Sequence, residues 1–183
     1  KLLIRGTNWV GDAVMSIPAM RELRRIFPQA HISLLVRPWV RDVYSAVDFI
    51  DEVLEYDRDG IHRGLLGLRR LVREISRARF DMAILLQNAF EAALLSWVAR
   101  IPIRLGYARD ARRPLLTHAC NIDPEVRSLH QACYYLGILS SAGLLQPKPW
   151  HRADYPLSIR IGVRDADRDR ARQSLRAHGV QPG

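Results

Sequence analysis

Three short segments carry side chains able to act on a polar ligand. The first is Gly6-Thr7-Asn8-Trp9-Val10-Gly11-Asp12. It follows the apolar run Leu2-Leu3-Ile4, so it reads as a strand leaving into a glycine-bearing loop. Its two glycines stand five positions apart, which is not the GxGxxG fingerprint, and no GKS or GKT follows to make a P-loop. What the loop offers is the carboxylate of Asp12, beyond a strand and close to a helix start. A carboxylate there can take a proton from an attacking hydroxyl, or it can cap the helix. The second segment is Gln87-Asn88, after another apolar run. Its amides suit sugar hydroxyls, or a turn in which they bond their own backbone. The third is Arg109-Asp110-Ala111-Arg112-Arg113-Pro114. Adjacent arginines suit an anion clamp, or simply a solvated basic loop. His130 starts a later helix and either faces the same cleft or serves that helix.

Alternating strands and helices must position these segments. Ser16-Ile17-Pro18 reads as the opening of a helix to Phe27, with Ser16 as its cap and Pro18 in its first turn. Ile32 to Val36 is a second strand ended by Pro38, and Val53-Leu54 with Tyr56 a third. After a charged loop, 57–64, Leu65, Leu68, Val72 and Ile75 repeat at helical spacing. Met82 to Gln87 is a nearly unbroken apolar run of the kind buried in parallel sheets. A helix on Phe90 to Val98, a fifth strand on Arg104 to Tyr107 and a helix on Leu129 to Ala142, stopped by Gly143, follow. Pro147, Pro149 and Pro156 mark an extended linker. Arg164 to His178 is a charged helix with Gly179 after it. The pattern predicts an α/β fold, a Rossmann-like parallel sheet with helices on both faces. In such sheets ligands bind beyond the carboxyl ends of the strands, so the loops after strands one, four and five matter most.

The 183 residues suit one domain, 1–150, followed by a linker and charged helix, 151–183. Hydrophobic residues make up 48%, enough for a core. Cys120 and Cys133 lack metal or redox spacing and read as structural thiols. Lys+Arg number 28 against 19 Asp+Glu, for a net charge of +9 carried almost wholly by arginine. That suggests an anionic partner, whether nucleic acid, a membrane surface or an acidic small molecule; a GC-rich genome enriches arginine as well. No apolar run approaches the ~20 residues that span a bilayer. No secretory signal is legible ahead of the first strand, so a cytoplasmic protein is expected.

Taken together, these residues resemble the N-terminal domain of the ADP-heptose:lipopolysaccharide heptosyltransferases, within them the heptosyltransferase II group. The resemblance rests on Leu3-Ile4 leading into Trp9-Val10-Gly11-Asp12-Ala13-Val14-Met15-Ser16, on Pro18-Ala19 and on Arg24 to Ala30. Phe80-Asp81, Gln87-Asn88-Ala89-Phe90, Ile101-Pro102 with Arg104-Leu105-Gly106, Ala111 to Leu115 and His130 extend it. It covers nearly all of residues 1 to about 160, and the WVGD segment is its most specific part.

The resemblance implies the N-terminal half of a GT-B glycosyltransferase, holding the acceptor. The implied reaction moves heptose from ADP-L-glycero-D-manno-heptose to the anionic Kdo and heptose inner core of lipopolysaccharide, with inversion and without a metal or cofactor. Asp12 takes the place of the family's general base. Acceptor contacts fall on Asn8, Trp9, Gly11, Gln87, Asn88, Arg112, Arg113 and His130. ADP-heptose belongs to a C-terminal domain beyond this sequence, and the fragment alone is expected to be inactive. The implied location is cytoplasmic, peripheral to the inner membrane. Two other classes make different forecasts. A non-catalytic Rossmann-like module would bind nucleotide or another anion itself. A nucleic-acid binder would show salt-sensitive duplex affinity, but no recognition motif is present, and no nucleic-acid partner is expected.

Overall fold

The computed structural model describes residues 1–151 and 157–180. In chain order the regular elements are β1 (Leu2–Arg5), α1 (Val10–Ile26), β2 (Ile32–Val36), β3 (Glu52–Glu55), α2 (Gly64–Ala78) and β4 (Met82–Leu85). There follow α3 (Phe90–Val98), β5 (Ile103–Tyr107), β6 (His118–Cys120), α4 (Gln131–Ser141) and α5 (Asp165–Ala177). The six strands are parallel and lie in the order β3-β2-β1-β4-β5-β6.

The strand sequences show why both faces are covered. Leu2 and Ile4 alternate with Leu3, and Ile32, Leu34 and Val36 alternate with Leu35, each set pointing to one face. On one face Leu2, Ile4, Leu34, Ile84 and Leu105 pack under α1 and α4, with Ile17, Met20, Leu136 and Leu139. On the other Leu3, Leu35, Ala83 and Leu85 pack under α2 and α3, with Leu71, Ile75, Ala93 and Leu95. Two apolar layers thus flank one sheet, and the strands read as continuous apolar runs because neither face meets water. Both cysteines are buried as free thiols, and burial raises both above their ordinary value. Among the described residues no helix is long and apolar enough to cross a membrane.

Several boundaries differ from the sequence expectation. α1 begins at Val10, nearly two turns earlier than Ser16. Ser16 is not a cap: it is buried inside the helix and donates to the Ala13 carbonyl at 2.8 Å. Pro18 lies in the helix interior, where it supplies no N–H to the Val14 carbonyl. The sixth strand has no counterpart in the sequence expectation, because three residues, His118-Ala119-Cys120, are too short for a period-two signal. Pro124–Arg127 forms a 3-10 turn, and α4 starts at Gln131 rather than Leu129. Gly143 and Gly179 adopt positive φ just past α4 and α5, as helix-ending glycines do. Pro156 lies outside the described residues.

Candidate active site

Strand order reverses between β1 and β4. β2 and β3 extend the sheet to one side, and β4, β5 and β6 to the other. The loops leaving β1 and β4 therefore diverge and open a crevice at the carboxyl ends. A cavity of about 430 Å³ occupies it. Thr7, Asn8, Trp9 and Asp12 line it from the β1–α1 connection, Leu86, Gln87 and Asn88 from the end of β4, and Arg109 from the end of β5. Val126, Arg127, Gln131, Tyr134 and Tyr135 close it from the α4 side.

The β1 loop is clamped from two sides. Arg5, 3% exposed, donates to the carbonyls of Gly6 at 2.7 Å and Leu35 at 3.2 Å, and to Asn8 Oδ1 at 3.0 Å. Burial, helped by the neighbouring charge of Arg37, lowers the Arg5 guanidinium to about 10. The Trp39 indole donates to the Asn8 carbonyl at 2.8 Å. Trp9 is left 73% exposed at the rim.

Asp12 stands in the first turn of α1, partly buried. It is not the cap, since Trp9 holds that position and makes no side-chain cap bond. The Tyr135 phenol donates to Asp12 Oδ1 at 3.0 Å. Burial raises the Tyr135 phenol well above its ordinary value, so it serves as a neutral donor.

The floor of the cavity is a second network. Arg112 is fully buried, and its guanidinium donates to the Tyr107 carbonyl at 2.8 Å, to the Gln87 carbonyl and to Asn88 Oδ1 at 2.8 Å. Asn88 Nδ2 in turn donates to the Tyr134 hydroxyl. Neither amide bonds its own backbone. Two buried polar atoms at the cavity, Thr7 Oγ1 and Gln87 Oε1, have no hydrogen-bond partner among the described residues. Such atoms are rare and costly without one, and they suit a ligand rich in hydroxyl groups.

The structure therefore gathers Asn8, Trp9, Asp12, Gln87 and Asn88 at one cavity. Four expected contacts fall elsewhere. Arg112 is corrected from a direct anion ligand to a brace beneath the site, because its side chain is buried and bonded to the protein. Arg113 is exposed in a 3-10 turn away from the cavity. His130 caps α4, its Nδ1 accepting from the Ala132 N–H at 3.2 Å. Gly11 is exposed and does not line the cavity. The exposed cations that do line it are Arg109 and Arg127. Arg127, Gln131, Tyr134 and Tyr135 escape the sequence reading, since nothing in their local sequence marks them. Among the described residues no group of three or more His, Cys, Asp or Glu could hold a metal ion.

Known proteins share this outline. Residues 68–177 match glycosyltransferase family 9 (heptosyltransferase). The chain is 31% identical over 159 residues to lipopolysaccharide heptosyltransferase 2 of Salmonella typhimurium and, equally, to that of Escherichia coli K12. Each alignment covers 82% of this chain and 45% of the relative. The structure of E. coli ADP-heptose lps heptosyltransferase II superposes with a TM-score of 0.70 at 26% identity, over 96% of this chain and 50% of that one. A family 9 glycosyl transferase from Veillonella parvula superposes with a TM-score of 0.82 over 98% of this chain and 49% of that one; at 23% identity this likeness concerns the fold. The chain spans about half the length of the curated relatives it matches.

Proposed function

Since the chain belongs to glycosyltransferase family 9, with the Rossmann-like α/β fold of GT-B enzymes, we propose that it is the acceptor-binding half of a lipopolysaccharide heptosyltransferase. The donor is ADP-L-glycero-D-manno-heptose, held by a second domain. The acceptor is the anionic inner core of lipopolysaccharide, and the protein works at the cytoplasmic surface of the inner membrane.

The observation that carries this reading is the placing of Asp12. Among the described residues it is the one carboxylate lining the switch-point cavity, and around it stand amides, phenols and two cations. An acceptor hydroxyl is a poor nucleophile and must be aligned opposite the leaving group. Tyr135 engages Oδ1 of Asp12, so Oδ2 is the oxygen available to the acceptor hydroxyl. As the new bond to the anomeric carbon forms, the hydroxyl proton passes to Asp12 and the bond to ADP breaks, ADP leaving with the electron pair. A single displacement of this kind inverts the anomeric centre. Thr7 Oγ1 and Gln87 Oε1 offer partners to the acceptor's other hydroxyls. Arg109 and Arg127 face its acidic groups. The proposed reaction uses side chains alone, with no resident metal or cofactor.

The test is transfer by the two-domain protein from ADP-heptose to a heptose-deficient lipopolysaccharide core, followed by mass spectrometry. Addition of one heptose, lost in Asp12→Asn, is expected. Transfer that persists undiminished in that variant would remove Asp12 from the reaction.

A further inference from the structure

α2 meets the sheet along one side only. Leu71 and Ile75 are buried there, and Gly67 lets the helix lie against the backbone of His62, where a Cβ would come within 2.2 Å. The opposite side is not an ordinary polar face. At about 3.6 residues per turn, its outward arc carries Leu65, Arg69, Arg73, Leu66, Arg77 and Arg70 in angular order. Leu65 and Leu66 are 81% and 80% exposed. Glu74, the helix's single acid, lies at the margin of this arc beside Arg70 and His62. Arg69, Arg73 and Arg77 have no acidic partner among the described residues.

The neighbouring helix continues the surface. α3 exposes Trp97 and Val98, and a largely apolar groove of about 330 Å³ runs between the helices, lined by Leu68, Val72, Leu94 and Val98 together with Arg69, Arg73 and Glu91. Because α2 follows β3, its leucine-bearing start lies at the carboxyl end of the sheet, the end where the candidate site opens.

Apolar side chains interleaved with unpartnered arginines suit one kind of partner. A second copy of this chain would bring the same arginines against one another, opposed by Glu74, already paired with Arg70, and by Glu91 in the groove, already paired with Arg58. An anionic bilayer takes both features at once: leucines and tryptophan enter the headgroup boundary, and arginines reach the lipid phosphates. We propose that the α2–α3 face docks on an anionic phospholipid surface, which sets the candidate site beside the bilayer. This assignment rests on the peripheral-membrane part of the proposed function and is independent of the transfer reaction.

Co-sedimentation with vesicles tests it without donor, acceptor or turnover. The protein is expected to bind phosphatidylcholine vesicles containing phosphatidylglycerol and to bind pure phosphatidylcholine weakly. Arg69→Glu/Arg73→Glu should lower binding to the anionic vesicles at least tenfold, roughly fivefold for each basic side chain removed and more when its charge is reversed. Leu65→Ser/Leu66→Ser should weaken binding at both vesicle compositions. Arg25→Glu, on the opposite face of the sheet, should change little, and circular dichroism should show all variants folded. Vesicle binding that is strong but indifferent to the α2 variants would overturn this face while keeping peripheral association. Absence of binding to either vesicle would overturn both. Loss of a dimer in the α2 variants, without vesicle binding, would make the face a contact between copies and sink the proposal.

Discussion

The phenol of Tyr135 and the carboxylate of Asp12 meet at 3.0 Å although 123 positions separate them in sequence. The bond ties α4 to the first turn of α1 and occupies one carboxylate oxygen. Two variants separate its parts. In the proposed two-domain enzyme Asp12→Asn should lower kcat by ~10²–10⁴-fold, the ordinary worth of a general base. Its melting temperature should stay near wild type, because Asp12 makes no cap bond. Tyr135→Phe keeps the ring and the base but frees Oδ1, so kcat should fall on the order of tenfold, the kinetic equivalent of one hydrogen bond to a charged group. Steady-state kinetics on both variants decide the matter; equal losses would mean that Tyr135 does more than orient.

Arg112 gives the opposite kind of forecast. Its guanidinium spans the ends of β4 and β5 from a fully buried position. Arg112→Ala strands buried carbonyls and opens a void, and should destabilise the domain by roughly 1–3 kcal/mol. At about 2–4 °C per kcal/mol for a domain of this size, the melting temperature drops by several degrees. Arg112→Lys should rescue little, since a single ammonium cannot match a planar fork with three partners. Thermal denaturation followed by circular dichroism reads this directly, and an unchanged melting temperature would contradict the brace.

Arg109 and Arg127 should behave as Arg112 does not. Both are exposed and line the cavity. The double variant Arg109→Ala/Arg127→Ala should leave the melting temperature unchanged and raise the acceptor KM at least tenfold, each charged contact contributing on the order of 1.5–3 kcal/mol. The donor KM should not move. Acceptor titrations at low and high salt check it, because a charge contact weakens as salt rises.

The 183-residue chain by itself should bind ADP negligibly. In many Rossmann-like sheets a pyrophosphate rests on the start of the first helix. Here that first turn holds the Asp12 carboxylate, which repels it. Calorimetry with ADP should show no micromolar binding; clear heat of binding would move the donor site onto this domain.

The fold is legible in the sequence because its signal is repetitive. Apolar runs such as Ile32 to Val36 and the helical repeat of Leu65, Leu68, Val72 and Ile75 announce buried strands and a one-sided helix, although Leu65 proves 81% exposed and Leu71 joins Ile75 on the buried side. Topology alone then singles out the loops after β1 and β4. The α4 side of the site is different. Tyr134 and Tyr135 sit in an apolar helix whose local pattern speaks only of packing, and their meeting with Asn88 and Asp12 is purely tertiary. The arginine loop misleads for a more local reason. Asp110 and Ala111 both take positive φ, at 50° and 56°, a conformation that propensity does not forecast for alanine. That turn leaves Arg109 at the cavity and folds Arg112 beneath it, so two arginines three positions apart receive opposite roles.

β1 is the middle plank of the sheet, with Leu2 opposite both Ile32 and Met82. Among the six strands, the first in chain order is therefore one whose pairing is completed late. Its pairing with β2 needs only about thirty residues, but its other edge stays bare until β4 emerges about fifty residues afterwards, and such long-range closure slows folding. In the interval a nascent chain offers an open strand edge of leucine and isoleucine, a template for pairing with other chains. Deleting residues 2–5 would not trim a margin of the molecule. It would split the sheet down its centre and release its two sides from each other.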